Sequence, residues 1–299
     1  MVKSKNRIVS CRQDRVFYTV CTIVLTVFML LTMYPLVHVL SASFSSGKAI
    51  TAGRVVLWPV DLSVEGYQAV FRNKHILVSF KNTVVYTVIG TFINVMLAVV
   101  AAYPLARKNL KGRSAIMFFF TFTMYFGGGL VPAYILKREL GLIDTMWALI
   151  LPGVPVYNMI LARTFMQTSI PDELLDAAKI DGCNNTRFFF SIVLPLSKAI
   201  LAVLAIYSMV GHWNAYFDAM LYLNTQEKMP LQIILKQILV ANQITADMVT
   251  DPELMEAKAE LADVLKYALI VISTVPIMII YPFAQKYFVQ GVMIGSLKG

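Results

Sequence analysis

The sequence "DAAKIDGCNNTRFFFSIVLP" occupies residues 176–195, between two long apolar segments. It contains charged residues, a glycine at position 182 and a proline at position 195, so it is amphipathic and interrupted by a turn. Such a segment is unexpected in the middle of a chain in which 58% of the residues are hydrophobic. Its position relative to a membrane therefore decides how the whole chain is organised.

The composition is typical of an integral membrane protein. Only 14% of the 299 residues are charged, whereas a soluble domain has about a quarter. Too few polar residues remain to cover a water-facing surface. The three cysteines, Cys11, Cys21 and Cys183, are widely spaced and indicate neither a disulfide framework nor a metal site. We therefore predict an all-α integral membrane protein.

Six segments are apolar over the ~20 residues that a helix needs to cross the hydrocarbon core. The first is preceded by two arginines and followed by "LSASFSS", so a cleaved signal peptide is an alternative. Its apolar part is longer than the roughly 7–15 residues of a signal sequence, and we retain it as a span. The predicted spans are residues 16–40, 79–103, 115–135, 145–166, 196–221 and 265–285.

The distribution of Lys and Arg predicts that both termini are cytoplasmic. With the N-terminus inside, the inner segments contain 15 basic and five acidic residues, and the outer segments contain 11 of each. The inner loop "ARKNLKGR", residues 106–113, has four basic residues and no acidic one. The net charge of +9 thus reflects membrane topology, and we predict no nucleic-acid partner. Residues 1–15 form a cytoplasmic N-terminal segment in this prediction, and residues 16–299 form the membrane domain.

The same topology places a short helix on the cytoplasmic side, within a segment of residues 171–195. Pro171 suits a first helical turn, and Asp172 and Glu173 put negative charge at the positive end of the helix dipole. Gly182 would end the helix in a left-handed conformation. "TRFFFSIVLP" then forms a second amphipathic piece, whose proline leads into the fifth span. A solvated helix resting on lipid headgroups is the alternative interpretation.

The spacing in this segment resembles the "EAA" motif of the permeases of bacterial ABC importers. In that motif an acid is followed by two small residues, a glycine lies six residues after the acid, and I-x-L-P follows after nine intervening residues. The matching positions here are Asp176, Ala177, Ala178, Gly182, Ile192, Leu194 and Pro195. The resemblance covers nearly the whole chain, including six spans and a long extracellular loop before the sixth.

Further stretches resemble one branch of that family. The pairs Asp181-Gly182 and Pro195-Leu196 are similar to the carbohydrate-uptake (maltose-type) branch. "GGGLVPAYILKRELGLIDTMWALILPG" and "WNAYFDAMLYL" resemble permeases of polysaccharide and uronate-oligosaccharide importers, such as alginate transporters. The outer segments have no net positive charge that would attract an acidic sugar, so the residues themselves do not favour a uronate.

The resemblance implies a fold, partners and a location. The fold is the type I ABC importer permease fold with a cytoplasmic coupling helix, in a bacterial cytoplasmic (inner) membrane. The implied partners are a second homologous permease subunit, two ATP-binding subunits, an extracytoplasmic solute-binding protein, membrane lipid and an oligosaccharide substrate. ATP and Mg would be used by the partner ATPase, with no cofactor in this chain.

In the family, the motif forms the coupling helix that docks in a groove on the ATPase. Small alanines allow close approach, and a capped helix acts as a rigid lever. Two positions differ from the usual pattern, with Asp176 in place of Glu and Cys183 in place of Ala. The resemblance assigns ATPase coupling to Glu173, Asp176, Ala177, Ala178, Asp181 and Gly182.

No motif for catalysis is evident in the sequence. "SSGKAI" lacks the upstream glycine and the Ser or Thr that follow the lysine of a phosphate-binding loop. "FGGGL", residues 126–130, has no lysine and indicates a helix break. The three histidines fit no metal spacing. We therefore predict a transporter subunit that is not an enzyme by itself.

Polar residues within the spans are candidates for a substrate path, because polar groups in lipid usually face the protein interior or a water-filled passage. One set shares a face of the second span, and the other lies near the end of the fifth span. Helix packing is the alternative for the first set, and an interfacial aromatic belt is the alternative for the aromatic residues of the second. The candidates are Asn82, Tyr86, Tyr125, Trp213, Asn214, Tyr216 and Asp218.

The outer loop at residues 222–264 is long and contains a predicted helix around residues 252–264. In maltose-type relatives this loop reaches toward the solute-binding protein; an ordered packing segment is the alternative. A secondary carrier is a rival function, but it predicts an internal repeat and acids at mid-membrane. No repeat is evident, and Asp218 is the only acid near a span interior. An ABC permease for an amino acid or peptide is a second rival, which the sequence after the motif disfavours.

Overall fold

The structure, a computed structural model, describes residues 12–151, 153–245 and 252–296. Within these residues the backbone is mainly helical, and an isolated bridge between Ser45 and Leu62 is the only strand-like pairing. The all-α prediction is therefore confirmed. The predicted N-terminal segment at residues 1–15 lies largely outside the described residues.

Fifteen α-helices are numbered here in chain order, within the described residues. A π-helical turn at Phe189–Val193 separates α10 from α11, and a 3-10 turn at Gln226–Lys228 precedes α14. The helices are α1 Arg12–Ser43, α2 Gly47–Thr51, α3 Glu65–Arg72, α4 Lys74–Ala106, α5 Arg113–Tyr125, α6 Leu130–Glu139, α7 Trp147–Ile150, α8 Val156–Ser169, α9 Asp172–Ile180, α10 Asn185–Phe188, α11 Leu194–Leu196, α12 Lys198–Trp213, α13 Phe217–Tyr222, α14 Leu231–Thr245 and α15 Pro252–Ser296.

Three helices in the described chain are long and apolar enough to cross a membrane. They are α1 over residues 13–43, the whole of α4, and α15 over residues 260–282. They correspond to the first, second and sixth predicted spans. Two bent pairs also qualify when each pair is taken together: α5 with α6, bent by 111°, and α10–α11 with α12, bent by 79°. The count is therefore three, or up to five, and the predicted count of six is not confirmed.

The remaining predicted spans are interrupted at identifiable residues. Gly127, Gly128 and Gly129 separate α5 from α6, as the "FGGGL" sequence predicts, and Gly129 has a φ of 86°. The fourth predicted span, residues 145–166, contains only the four-residue α7 and part of α8. At 14 residues, α8 is about 21 Å long, which is shorter than the ~30 Å hydrocarbon core. The fourth prediction was therefore wrong about helix continuity.

The prediction of a long outer loop at residues 222–264 also needs correction. Most of the described part of this region is helical, since it contains α14 and the first part of α15. The helix predicted around residues 252–264 exists, but it continues without interruption through the sixth predicted span as one 45-residue helix. Proline at positions 276 and 282 does not end this helix.

The chain divides into two compact units, which are described separately. The first comprises residues 1–70 and 241–271. Its described core joins Ala42, Ala49 and Val55, with Tyr67 donating a hydrogen bond to Ser43 Oγ over 2.8 Å. Gly66 is packed so closely that an added Cβ would lie 2.7 Å from a Val264 methyl group. Helix α1, in contrast, exposes its apolar side chains along most of its length.

The second unit comprises residues 71–240 and 272–299 and contains the largest apolar core. Buried residues of α4, α8 and α12 meet there. Ala98 and Ala102 of α4 and Ala162 of α8 are fully buried, and such small residues let helix backbones approach closely within a membrane. The segment at residues 171–195 contributes to the same core, which fixes it to the ends of these helices.

Candidate functional site

Helix α9 has two well-defined ends. Pro171 occupies the N-cap position in an extended conformation, one residue before the helix and not within its first turn. At the other end, Gly182 adopts a φ of 76°. Its N–H donates to Lys179 O over 3.0 Å, and Cys183 N–H donates to Ala178 O over 2.8 Å. These two bonds form a Schellman cap, so the prediction of a left-handed glycine is confirmed.

The two faces of α9 differ in burial. Leu175 and Ala178 are buried in the core of the second unit. The opposite face exposes charged and apolar side chains, and Ile180 is 87% exposed. Five of the six residues assigned to coupling are exposed, whereas Ala178 is buried and packs against the core. The exposed members are Glu173, Asp176, Ala177, Asp181 and Gly182.

The chain after α9 returns to the membrane helices in one continuous path. Asn184 caps α10 by accepting a hydrogen bond from Arg187 N–H over 2.8 Å. Phe188 and Val193 are completely buried, in the same core as Leu175. The π-helical turn and α11 then lead to α12 through the 79° bend, close to the proline predicted to start the fifth span. The segment is thus attached along its length.

A loop from the end of α4 also contacts this segment. Lys108 Nζ forms an ion pair with Asp172 Oδ2 at 2.9 Å. The Arg107 guanidinium lies 4.9 Å from the ring centres of both Tyr103 and Phe188. The end of α4 is therefore linked to the start of α9 by the ion pair and to α10 by the cation–π contact with Phe188.

A polar cavity of about 320 Å³ lies beside α12, near α4 and α8. Asn94 and His212 form a side-chain hydrogen bond of 2.9 Å at its wall, and Asn158 donates to Ser208 Oγ over 3.2 Å. The ring of His212 fills the space left by Gly90, where an added Cβ would lie 2.6 Å from Nε2. Other polar lining residues include Tyr207 and Asp218.

Of the predicted path residues, Asp218 lines this cavity, whereas Asn82 and Tyr86 have other contacts. Asn82 Nδ2 donates to Glu227 O over 2.7 Å, and Tyr86 OH donates to Lys228 O over 2.9 Å. Both side chains bind backbone carbonyls of the loop before α14. Packing of α4 against this loop therefore explains why these polar residues lie on α4.

The other predicted path residues are dispersed. Trp213 is buried, and its indole N–H donates to Ser273 O over 2.8 Å. Asn214 donates to Val210 O in its own helix. Tyr125 is 78% exposed, and the Lys236 amino group lies 5.1 Å from the Tyr216 ring centre. The structure therefore does not assemble these residues around the cavity.

The amino-acid sequence matches the family of binding-protein-dependent transport system inner membrane components over residues 9–294. This chain belongs to that family. It is a membrane permease subunit of an ABC transport system, and its family implies ATPase, solute-binding and permease partners. The prediction that it is a transporter subunit and not an enzyme is therefore confirmed by the family.

Similar proteins and structures support this assignment. The permease is 39% identical to the polygalacturonan/rhamnogalacturonan transport system permease protein YtcP of Bacillus subtilis (strain 168), over 92% of this chain and 96% of that protein. It is 27% identical to the melibiose/raffinose/stachyose import permease protein MelC of the same organism, over 81% and 84% of the two chains. A chain from the crystal structure of a bacterial ABC transporter involved in import of the acidic polysaccharide alginate has a TM-score of 0.84, with 35% identity and coverage of 93% and 99%.

Sequence reasoning missed part of the polar cavity in the permease. Four residues of its wall were not among the predicted path residues, namely Asn94, Asn158, Ser208 and His212. The prediction considered which residues share one face of a single span. It could not show that residues of α4, α8 and α12 lie close together. The only available signal was the coincidence of amides and a histidine within apolar segments.

A second polar cluster in the permease joins Asp144 to the loop after α13. Asp144 accepts hydrogen bonds from Asn224 N–H, Thr225 N–H and the Thr225 hydroxyl, and Lys228 Nζ lies 2.8 Å from Oδ2. Lys228 also donates to the Asp144 backbone carbonyl. The ion pair with Lys228, followed by the Thr225 and Asn224 hydrogen bonds, holds the pKa of Asp144 well below its usual range. We call this group the Asp144 cluster.

The described residues contain no group of three or more His, Cys, Asp or Glu side chains that could hold a metal ion. The exposed face of α9 and the polar cavity each offer groups for recognition by hydrogen bonds and charges.

Proposed function

We propose that this permease forms half of the translocation path of an ATP-driven importer for oligosaccharides. Its partners are a second homologous permease, two ATP-binding subunits and an extracytoplasmic solute-binding protein. Both termini and the α9–α11 segment lie on the cytoplasmic side. The similarity to permeases named for polysaccharides and oligosaccharides supports the substrate class, and the clustering of basic residues at 106–113 supports the orientation.

The observation that carries the coupling proposal is the division of α9 into a buried and an exposed face. Leu175 and Ala178 anchor the helix in the core, while Asp176, Ala177 and Ile180 remain exposed. An apolar side chain as exposed as Ile180, beside carboxylates, suits the groove of a protein partner, where one apolar anchor and a polar rim are typical. We assign docking to this face, with Glu173 and Asp181 at its edges.

The route from the docking face to the cavity follows the chain. Helix α9 leads through buried Phe188 and Val193 to α12, and α12 carries Ser208 and His212 of the cavity wall. A closely packed interior shifts as whole elements and does not deform gradually. Closure of the ATPases would therefore displace α9 and α12 together and switch the path from inward-open to outward-open.

The polar cavity suits the hydroxyl groups of a neutral sugar. Its lining contains amides, hydroxyls, an imidazole and the Asp218 carboxylate, and none of the described lining residues is Lys or Arg. A uronate carboxylate would find no opposite charge there. We propose that the permease recognises sugar hydroxyls, and that any preference for an acidic oligosaccharide belongs to the solute-binding protein.

Replacing Asp176 with Lys tests the coupling proposal in the reconstituted transporter. The change reverses the charge on the exposed face and leaves the buried face intact, so the permease should still insert and fold. We expect sugar-stimulated ATP hydrolysis to fall by about tenfold or more, which corresponds to the loss of at least one interfacial charge interaction. The measurement is ATPase activity with and without substrate-loaded binding protein.

Lys179→Gln is the matched control, because Lys179 Nζ contacts Asp176 Oδ1 at 3.4 Å. It removes the same intrahelical ion pair but keeps the carboxylate, so hydrolysis should remain near the wild-type rate. Equal losses in both variants would contradict docking through Asp176. Sugar uptake by permease liposomes without any ATPase would instead favour a secondary carrier.

Asp218→Asn tests the cavity. Transport of a neutral oligosaccharide should fall by about tenfold if the carboxylate accepts a hydroxyl hydrogen bond, since a bond to a charged group contributes about 1.5–3 kcal/mol. A uronate oligosaccharide should be affected less, because the same change removes a repulsive charge. Uptake of a neutral and an acidic oligosaccharide by the same proteoliposomes gives the comparison, and an unchanged ratio would place the substrate elsewhere.

A further inference from the structure

A second cavity, of about 370 Å³, lies where the end of α4, the start of α5, the end of α8 and the start of α9 meet. We call it the basic cavity. Its charged lining residues are Arg107, Lys108, Arg113, Asp172 and Glu173, and Tyr103 and Gln167 add polar groups. Neither the docking face of α9 nor the polar cavity beside α12 explains why arginines line this space.

The charges around the basic cavity are only partly balanced. Lys108 and Asp172 neutralise each other at 2.9 Å, and this pairing raises the pKa of Lys108 and lowers that of Asp172. Arg107 and Arg113 have no carboxylate within ion-pair distance among the described residues. Arg163, on α8, adds a third positive charge close enough to repel Arg113. Glu173 is exposed, so water weakens its attraction for the arginines. Arg107 and Arg113 are half-buried, and their positive charge is therefore not fully balanced.

The two arginines are held in position by neighbours other than acids. The Arg107 guanidinium lies 4.9 Å from both the Tyr103 and the Phe188 ring centres, and Arg113 Nη1 donates to Arg107 O over 3.4 Å. Each guanidinium carries five N–H donors, and most of them remain available for a ligand. A planar, pre-positioned guanidinium suits the oxygens of a phosphate group, which it can contact through two parallel hydrogen bonds.

The apolar surface next to the basic cavity indicates where the phosphate comes from. Arg113 is the first residue of α5, and α5 exposes Phe118, Phe119 and Phe122 without any buried side chain in the helix. Arginines at the start of a helix with an exposed aromatic surface match the headgroup and acyl chain of a phospholipid. Basic pockets between helices on the cytoplasmic side commonly bind anionic headgroups.

We propose that the basic cavity binds the phosphate of an anionic phospholipid of the cytoplasmic leaflet, through Arg107 and Arg113. The bound headgroup contacts the start of α9 and stabilises the position from which α9 meets the ATPase. The lipid site rests on the proposed orientation of the permease, and its effect on the ATPase rests on the proposed docking of α9. Neither depends on which sugar is transported.

Lipid retention by the purified transporter tests the site. The full complex is extracted, and the phosphatidylglycerol retained is counted by native mass spectrometry across a titration of added lipid. Arg113→Gln should weaken retention by about fivefold, as expected for one basic residue near a membrane surface. Arg113→Lys keeps the charge and should retain most of the binding.

Lys111→Gln is the matched control, because Lys111 lies in the same loop and is exposed but does not line the basic cavity. If Lys111→Gln weakens retention as much as Arg113→Gln, the loop attracts lipid by its overall charge and the proposed site is wrong. Unchanged retention in Arg113→Gln overturns the proposal as well. Neither result depends on ATP hydrolysis, so the site can fail while the transport function stands.

A second measurement separates a lipid from a soluble phosphate. ATPase activity of the complex is compared in nanodiscs of phosphatidylcholine alone, in nanodiscs that also contain phosphatidylglycerol, and in phosphatidylcholine with added inorganic phosphate or glycerol phosphate. We expect activation by phosphatidylglycerol only, and a smaller activation in Arg113→Gln. Equal activation by the soluble phosphates would overturn the assignment to lipid, and activation that persists undiminished in Arg113→Gln would overturn the assignment to this cavity.

Discussion

Asp144 and Asp176 are both carboxylates near a glycine-capped helix end, yet their surroundings are opposite. Asp144 is 25% exposed in its side chain and accepts hydrogen bonds from two backbone N–H groups, a hydroxyl and an ammonium group. Asp176 is 70% exposed and has one contact, with Lys179 at 3.4 Å. The first carboxylate is used within the permease, and the second is left available to a partner.

This difference leads us to propose that Asp144 serves stability and Asp176 serves recognition. An exposed pair such as Asp176 with Lys179 contributes little to folding, because water screens it and two flexible side chains must be ordered. A carboxylate with several hydrogen bonds to backbone and ammonium groups fixes the chain around it. Loss of Asp144 should therefore affect folding, and loss of Asp176 should affect coupling.

The largest effect on stability is expected from Asp144→Asn. The change removes the charge that neutralises Lys228. It also places an amide NH2 group, which only donates, where Oδ2 accepts from Lys228 Nζ and the Thr225 hydroxyl. We expect a clear fall in the thermal unfolding midpoint of the detergent-solubilised complex. Asp176→Asn is the matched control and should leave that midpoint within about 1 °C of wild type, since surface substitutions usually have small effects.

Equal midpoints for Asp144→Asn and Asp176→Asn would show that the Asp144 cluster has no stabilising role. A fall in sugar-stimulated hydrolysis with Asp176→Asn, without any fall in midpoint, would support a role of Asp176 in coupling alone.

A smaller effect is expected from alanine at the two capping glycines. Gly182 after α9 and Gly141 after α6 have φ values of 76° and 68°, and no neighbouring atom lies within 4 Å of an added Cβ at either site. Both N–H groups form the same Schellman pattern, since Gly141 donates to Arg138 O and Leu142 donates to Lys137 O. Each substitution should cost about 1 kcal/mol through backbone strain alone.

The two glycine variants should differ in function despite their equal cost. Gly182→Ala perturbs the end of the docking helix and should lower sugar-stimulated ATP hydrolysis, whereas Gly141→Ala should not. Thermal unfolding and ATPase assays on the same preparations check both parts. If Gly141→Ala reduces hydrolysis to the same extent, α9 has no special role in coupling.

The smallest effect is a pH dependence of the Asp144 cluster. Because the folded-state pKa of Asp144 is lowered below that of the unfolded chain, its stabilisation is fully present above roughly pH 4 and is lost as the pH falls further. The gap in unfolding midpoint between wild type and Asp144→Asn should stay constant from pH 8 to pH 5 and narrow below about pH 4. A gap that changes between pH 8 and pH 5 would assign the effect to another group.

Local features of the permease were predictable to different extents. The helix at 172–180, its glycine cap and the break at Gly127–Gly129 follow from residue types whose backbone preferences act over a few positions. The fourth span was predicted as continuous because hydropathy averages over about 20 residues and does not register the proline-containing stretch between α7 and α8. The Asp144 cluster was not predicted, because Asp144 and Thr225 are 81 residues apart in the chain.

The amino-acid sequence was enough to predict a helical membrane protein, the family that it resembles and the short helix that carries the coupling motif. These properties depend on composition, on charge along the chain and on short spacings, all of which are local. The three-dimensional structure was needed to show that Ala178 is buried while Asp176 is exposed, that Asn94 contacts His212, and that Arg107 and Arg113 line one cavity. Contacts between distant helices depend on how those helices pack, and packing depends on the whole chain at once.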